Sequence, residues 1–333
     1  VRIVQLIPRS DPPTGGVASY AEALAGELSR RCGVESEIVA VGSSLDENLR
    51  GAATCLFHYV NYGYHPRGCP GRLVRDLCRW REGAPERRLV TVFHEVYATG
   101  PFWRSSFWLS PVQRRLAAVL ARANDRMATS LGLYGRRLAR FHPRGEVVVT
   151  PVFSTVGEPE AVPPLAERPR RLLVFGSRGV RARAYGPERE ALAAACGTLG
   201  VEEIVDLGPA REAPAAVGGT PVRSLGPLPA ALVSAQMLGS FAGFLAYPPG
   251  YLAKSTIFAA YCAHGLLPVC AWSRRQGQEN GQALPYWVPG SAPPSAEGRE
   301  ILANAARAWY LEHSLARQAE AFRDLLLAAG AER

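Results

Sequence analysis

Lys254-Ser255-Thr256 stands between an apolar run, Phe244 to Tyr247 with its Pro-Pro-Gly turn, and a segment with Ile257, Phe258, Tyr261 and Cys262 at helical spacing. A cation and two hydroxyls at a helix start make an anion site. The first amides of a helix lack partners, and its dipole favours negative charge there. An ordinary strand–helix unit in which Ser255 only caps the helix fits the same residues. Arg178 and Arg183 follow the apolar run Leu172 to Phe175, and arginine suits phosphate or carboxylate. The alternative for any one of them, with Arg181 between, is a solvated surface charge. His94-Glu95 closes the β-branched run Leu89 to Phe93. Open parallel sheets bind ligands at the carboxyl ends of their strands, so His94 is placed for acid–base work. A structural histidine closing a strand is the other reading, and Glu95 is either its partner or a surface group. Gly15-Gly16 lies where the first apolar run gives way to an amphipathic segment, which allows close approach of a ligand to the backbone. The Gly-x-Gly-x-x-Gly dinucleotide pattern is absent from that turn.

The elements that must position these residues alternate. Val1 to Pro8, Glu35 to Val41, Thr54 to Tyr59, Leu89 to Phe93, Arg126 to Ser130 and Glu146 to Pro151 read as strands. Helical periodicity falls at about Val17 to Arg31, Arg72 to Trp80, Pro111 to Ala123 and Leu131 to Phe141. Gly100 to Trp108 is either a mobile loop for an acceptor or the start of the helix that follows. Pro163 to Arg170 shifts to proline and arginine and reads as a linker. A second series then begins, with strands at Leu172 to Phe175, Glu203 to Leu207, near Val222, Phe244 to Tyr247 and Leu266 to Cys270. The stretch GSRGVRARAYG reads as a loop after the first of these. Helices are expected from Pro187 to Leu199, up to Leu238, and over a long terminal region, Ala296 to Ala329, broken near Glu312. Two successive alternating series predict an α/β chain of two doubly wound Rossmann-like domains facing a cleft.

The 333 residues suit two cores. The net charge of +9 is carried mostly by scattered arginine, without a helix-turn-helix, zinc-finger or RNA-binding signature, so no nucleic-acid partner is expected. The seven cysteines are odd in number and lack Cys-x2-Cys spacing, which fits reduced thiols in a cytoplasm rather than disulfides or a zinc site. No stretch reads as a signal peptide or a membrane span, so membrane association is at most peripheral, through the basic segment Arg67 to Arg88. No Walker loop, aspartate pair or metal cluster supports another phosphate-handling class.

The chain resembles glycosyltransferases of the GT-B fold, most of all the retaining family 4 class. The resemblance rests on Thr14-Gly15-Gly16-Val17 before the first helix, on Thr91-Val92-Phe93-His94-Glu95 ending a strand, and on Ser130 before a helix. It rests also on Arg178 and Arg183 with four residues between them, where the family carries arginine and lysine, and on the loop at Gly226 and Leu228, which borders the nucleobase in such enzymes. The resemblance implies an N-terminal acceptor-side domain, residues 1–165, and a donor-binding domain, residues 166–307, with a final helix, residues 308–330, packing back on the first. It implies transfer of a hexosyl or related group from a UDP or GDP sugar to a small-molecule, glycan or lipid-linked acceptor in bacterial biosynthesis. No metal and no cofactor besides the donor substrate are expected. Gly15, Gly16, Arg178, Arg183, Lys254, Ser255 and Thr256 would hold the diphosphate, and His94 with Glu95 would serve the acceptor. The family's pair of glutamates falls on Leu252 and Ala260. That departure makes a non-catalytic binding module or partner subunit of the same fold the alternative reading.

Overall fold

The computed structural model describes residues 1–9, 16–42, 44–100, 102–103, 105–209, 213–274 and 283–327. They form two compact units, one of Val1–Pro151 with the segment from Leu315 onward, the other of Val152–Ser314.

The first unit contains strands β1 (Arg2–Ile7), β2 (Glu35–Ala40), β3 (Thr54–Tyr59), β4 (Arg88–Phe93), β5 (Arg126–Thr129) and β6 (Val147–Val149). They lie in the order β2-β1-β3-β4-β5-β6, all parallel. The central strands are buried along their length, as β3 is at every residue, because helices cover both faces of a parallel sheet. Those helices are α1 (Gly16–Cys32), α4 (Gly71–Glu82), α5 (Ser105–Ala123), α6 (Gly132–Phe141) and the terminal α12 (Leu315–Leu327), with short turns α2 (Leu45–Asn48) and α3 (Asn61–Tyr64) between. α12 packs along α1 and reaches β4 and β5. Of Gly100 to Trp108, the part from Ser105 belongs to α5.

The second unit begins with β7 (Arg171–Phe175), followed by α7 (Arg178–Tyr185), α8 (Arg189–Leu199), β8 (Glu203–Leu207), β9 (Ala216–Val217), β10 (Thr220–Gly226), α9 (Ala230–Leu238), β11 (Ala242–Ala246), α10 (Thr256–Ala263), β12 (Leu267–Ala271) and α11 (Ala296–Leu311). A 3-10 turn covers Pro249–Lys254. The sheet order is β12-β11-β7-β8-β10-β9, parallel except for the short edge strand β9. Gly265, at φ +61, takes the left-handed position after α10 and lets the chain turn straight into β12.

Two sequence expectations change here. Pro163 to Arg170 is not a free linker but part of the second unit. Leu165 is buried there, and the Glu300 carboxylate accepts from its amide at 3.0 Å. The Arg168 guanidinium is buried against the carbonyls of Pro163 and Ser240. The long terminal helix divides near Glu312, as its sequence implies, but α11 belongs to the second unit, so only α12 returns to the first.

The stretch read as a loop, GSRGVRARAYG, holds helix α7. Its buried face is Arg181, Ala184 and Tyr185, so a charge stands where apolar periodicity would show an apolar residue. Arg181 is 1% exposed and forms an ion pair with Asp206 of β8, which is wholly buried. The guanidinium also donates to the carbonyls of Gly176, at 3.1 Å, and Pro209. Tyr185 and Ser224 donate to the remaining positions on Asp206, at 3.0 and 3.2 Å. Asp206→Ala strands a buried guanidinium and should lower stability by about 3–5 kcal/mol. Arg223→Ala, which removes an exposed pair with Glu203 at 2.8 Å, should cost less than about 1 kcal/mol. Urea unfolding of the full chain compares the two, and equal losses would show that the buried pair does not anchor α7.

Candidate functional site

In the second unit the chain winds one way from β7, through β8 and β10, and the other way through β11 and β12. The carboxyl ends of β7 and β11 therefore flank the place where strand order reverses, where open α/β sheets take ligands. Their pairing runs from Ala242 opposite Leu172 to Phe244 opposite Val174 and then stops. Beyond that point the hydroxyl of Tyr261, from α10, sits between the two strands. It accepts from the Phe175 amide at 3.2 Å and lies 3.2 and 3.3 Å from the carbonyls of Leu173 and Phe244. The ring needs Gly243 beneath it, since a Cβ there would fall 2.6 Å from ring atoms.

The turns that leave these strands meet. A Cβ on Gly176, after β7, would come within 2.5 Å of the Ile257 side chain in the first turn of α10. Arg178 opens α7 two residues past Gly176 and is exposed. Ser177, also exposed, makes no capping bond, so no side chain of the cap residue occupies the first amides of α7. Lys254, half-buried, ends the 3-10 turn just before α10. Ser255 caps α10, its hydroxyl accepting from the Phe258 amide at 3.3 Å, and Thr256 is the first helical residue. The starts of α7 and α10, with an arginine at one and a lysine beside the other, thus lie at the same edge of the sheet, an electrostatic setting that favours an anion.

Other predicted residues lie elsewhere. Arg183 is five residues along α7 from Arg178, roughly 140° around the helix. It is exposed and stacks 5.7 Å from the Trp272 ring. Gly226 ends β10, two strands from β7, where its carbonyl accepts from the Gly208 amide at 3.0 Å. Leu228 is half-buried in the turn that follows. Leu252 and Ala260 are each 1% exposed and pack into the core. Among the described residues, no three of His, Cys, Asp and Glu come together to hold a metal ion.

In the first unit His94 follows β4, half-buried, its amide donating to the Tyr59 carbonyl at 3.1 Å. Its Nε2 lies 3.1 Å from Nδ1 of His58, on β3, and His58 Nε2 lies 2.9 Å from Gln5 Oε1, on β1. With the Gln5 oxygen accepting, His58 Nε2 carries a proton, His58 Nδ1 accepts, and His94 Nε2 donates. Neutral His94 then has its lone pair on Nδ1. Burial, with the neighbouring His94 as a lesser cause, holds the His58 pKa well below 6.5, so His58 stays neutral. Tyr20 packs edge-on to the His94 ring at 5.2 Å and hydrogen-bonds to Gln318 of α12 at 3.0 Å. Downstream, the Ala98 amide donates to buried Gln113, and Asn61 donates to the Val96 carbonyl, so the segment after His94 is held from two helices. Glu95 is half-buried with no hydrogen-bond partner among the described residues. Gly16 opens α1 with empty space at its Cβ position. Gly15 lies outside the described residues.

Sequence reasoning missed Gln5 and His58. Their signal was a lone polar residue in each of two otherwise apolar buried strands. It also passed over the rarity of Lys254, the only lysine among 38 basic residues.

Two doubly wound parallel sheets define a paired Rossmann-like protein. No protein-family model and no curated protein sequence matches the chain. Solved structures do. An alpha-glucosyltransferase, AGT, in complex with UDP aligns at a TM-score of 0.60 and 11% identity, over 97% of this chain and 99% of that one. The Anabaena protein HepE in complex with UDP-glucose gives 0.60 and 11%, over 98% and 100%. WaaG, a glycosyltransferase involved in lipopolysaccharide biosynthesis, gives 0.55 and 13%, over 98% and 100%. At these identities the likeness is one of fold, and the fold is GT-B.

Burial sets a pH dependence. His58 has its pKa held well below 6.5 in the folded chain, and burial pushes His264 and His313 down to about 4. Below the ordinary value the unfolded chain binds protons that the folded chain refuses, so stability is full above about pH 7 and is lost as pH falls toward 4. Each histidine should contribute a slope of about 1.4 kcal/mol per pH unit across its window. Urea midpoints measured from neutral to mildly acidic pH should fall. A flat profile would mean that these rings reach water.

Proposed function

We propose that this chain is a glycosyltransferase that uses a nucleotide diphosphate sugar, with a uridine nucleotide favoured because AGT and HepE were solved with UDP or UDP-glucose. The observation that carries the reading is the meeting of the α7 and α10 starts at the reversal of strand order in the second unit, with Arg178 and Lys254 beside it. The donor's diphosphate lies against these cations and the amides around Ser177 and Ser255-Thr256. As the glycosidic bond breaks, negative charge grows on the departing nucleotide, and fixed cations and helix starts stabilise it without reorganising. This route needs no metal and suits a retaining outcome. Gly226 and Leu228 lie on the side of the base, and Arg183 is a reserve contact. His94, oriented through His58 and Gln5, supports the acceptor hydroxyl by hydrogen bond or as base, with Glu95 beside it.

Leu252 and Ala260 favour a second reading, a binding module without turnover, because their packed apolar side chains offer a sugar no hydrogen bond. Calorimetry with UDP, and hydrolysis or transfer assays with UDP-glucose, separate the two. The parent should bind UDP, and Arg178→Ala and Lys254→Ala should each weaken binding about tenfold to a hundredfold. His94→Ala should reduce turnover far more than UDP affinity. Because the chain has a single lysine, reductive methylation reports on Lys254 directly, and UDP should protect it. Binding without turnover of any sugar nucleotide would leave the module reading standing. Binding that is unchanged in both cation variants, with an unprotected lysine, would place the phosphates elsewhere.

A further inference from the structure

Helix α5 has apolar residues on two sides. Its inner side buries Gln113, Ala117, Ala118, Leu120 and Ala121. Its outer side presents Trp108, Val112, Arg115, Val119 and Arg122, spaced four, three, four and three apart, one stripe of a helix. Trp108 is 70% exposed and Val112 49%. Just upstream, Phe102 and Trp103 are 66% and 72% exposed, and Phe107 43%. These rings form a built patch. Phe102 and Trp103 meet edge-on at 5.1 Å, Phe107 and Trp108 at 5.4 Å, and Trp108 Nε1 donates to the Phe102 carbonyl at 2.8 Å. An open cavity of about 540 Å³ lies beside them, with Tyr97, Pro111 and Arg114 in its wall. A contiguous cluster of exposed aromatic rings marks an interaction surface, since isolated exposed residues are the norm.

Its charge says what the surface meets. α5 packs on α6, and the two helices carry arginines at 114, 115, 122, 136, 137 and 140 with no carboxylate. From Thr99 to Gly145 the sequence has one acidic residue, Asp125, and both its oxygens are taken by Arg81 at 2.7 and 2.6 Å. We propose that this face docks on an anionic lipid bilayer, with the rings of Phe102, Trp103, Phe107 and Trp108 in the headgroup–acyl boundary and the arginines on lipid phosphates. Exposed tryptophan beside two helices that carry arginine and no carboxylate is a composition that lies in the plane of an anionic membrane. Among the described residues no helix is long and apolar enough to cross one, so the attachment is in-plane. The surface belongs to the first unit alone and does not depend on the nucleotide reading.

The test is co-sedimentation of the full chain with phosphatidylcholine vesicles, with or without phosphatidylglycerol. The chain should partition onto the anionic vesicles, and added salt should release part of it. The Trp103→Ala, Trp108→Ala double variant should lose roughly tenfold or more in partition. The Arg114→Gln, Arg115→Gln pair should lose selectivity for the anionic lipid. In the parent, brominated lipid should quench tryptophan emission, a reading that needs no variant. No sedimentation with anionic vesicles, or equal partition of parent and tryptophan variant, overturns the proposal. So does a solution dimer that the tryptophan variant abolishes, since the patch would then be covered by a second copy.

Discussion

The first helix of the second unit is held by a buried charge, that of Arg181. Removing an arginine from water costs several kcal/mol unless its donors all find acceptors. Arg181 finds them at Asp206 and at two backbone carbonyls, and Tyr185 and Ser224 complete the carboxylate. That set exists only at the carboxyl ends of β7 and β8, so α7 has one place to stand. Its first turn, and Arg178 with it, is fixed as a consequence. An apolar anchor would allow the helix to slide along the sheet face. A guanidinium with several directional bonds does not.

The first unit uses the opposite electrostatics. Its buried polar line runs from Gln5 to His58 to His94, and burial keeps His58 neutral. A neutral His58, its Nε2 donating to Gln5, fixes Nε2 of His94 as a donor without placing a charge on β3. Cations thus gather where phosphate is proposed to bind, and an imidazole oriented by a neutral neighbour stands where a hydroxyl is proposed to be activated. Each arrangement sits at the carboxyl edge of its own sheet, where side chains leave the covered strands.

Much of this was legible in the sequence. The strands of both sheets follow from short apolar, β-branched runs, and Thr54–Tyr59 and Glu203–Leu207 match to the residue. His94 follows β4, and Lys254 and Ser255 precede α10, where the sequence places them. What was hidden lay where polar groups do structural work. Helix α7 was invisible because its buried face is an arginine. The relay was invisible because Gln5 and His58 interrupt apolar strands by one residue each. The unit boundary was misplaced because proline and arginine between Pro163 and Arg170 look like solvent-exposed linker. There, Arg168 is buried and satisfied by carbonyls distant in sequence. Single-residue patterning reports burial of carbon, and it has no access to polar groups whose partners are remote in the chain.

The contact between Gly243 and Tyr261 couples two positions that no sequence pattern links. The tyrosine hydroxyl takes over backbone hydrogen bonds where β7 and β11 part, and its ring occupies the space a side chain at 243 would need. Neither position can drift alone. A side chain at 243 is tolerable only after the ring at 261 has gone, and losing the ring first strands the Phe175 amide and opens a void against the glycine. Divergence in this lineage therefore has to pass through a paired replacement, or hold both residues fixed while the surrounding surface changes freely.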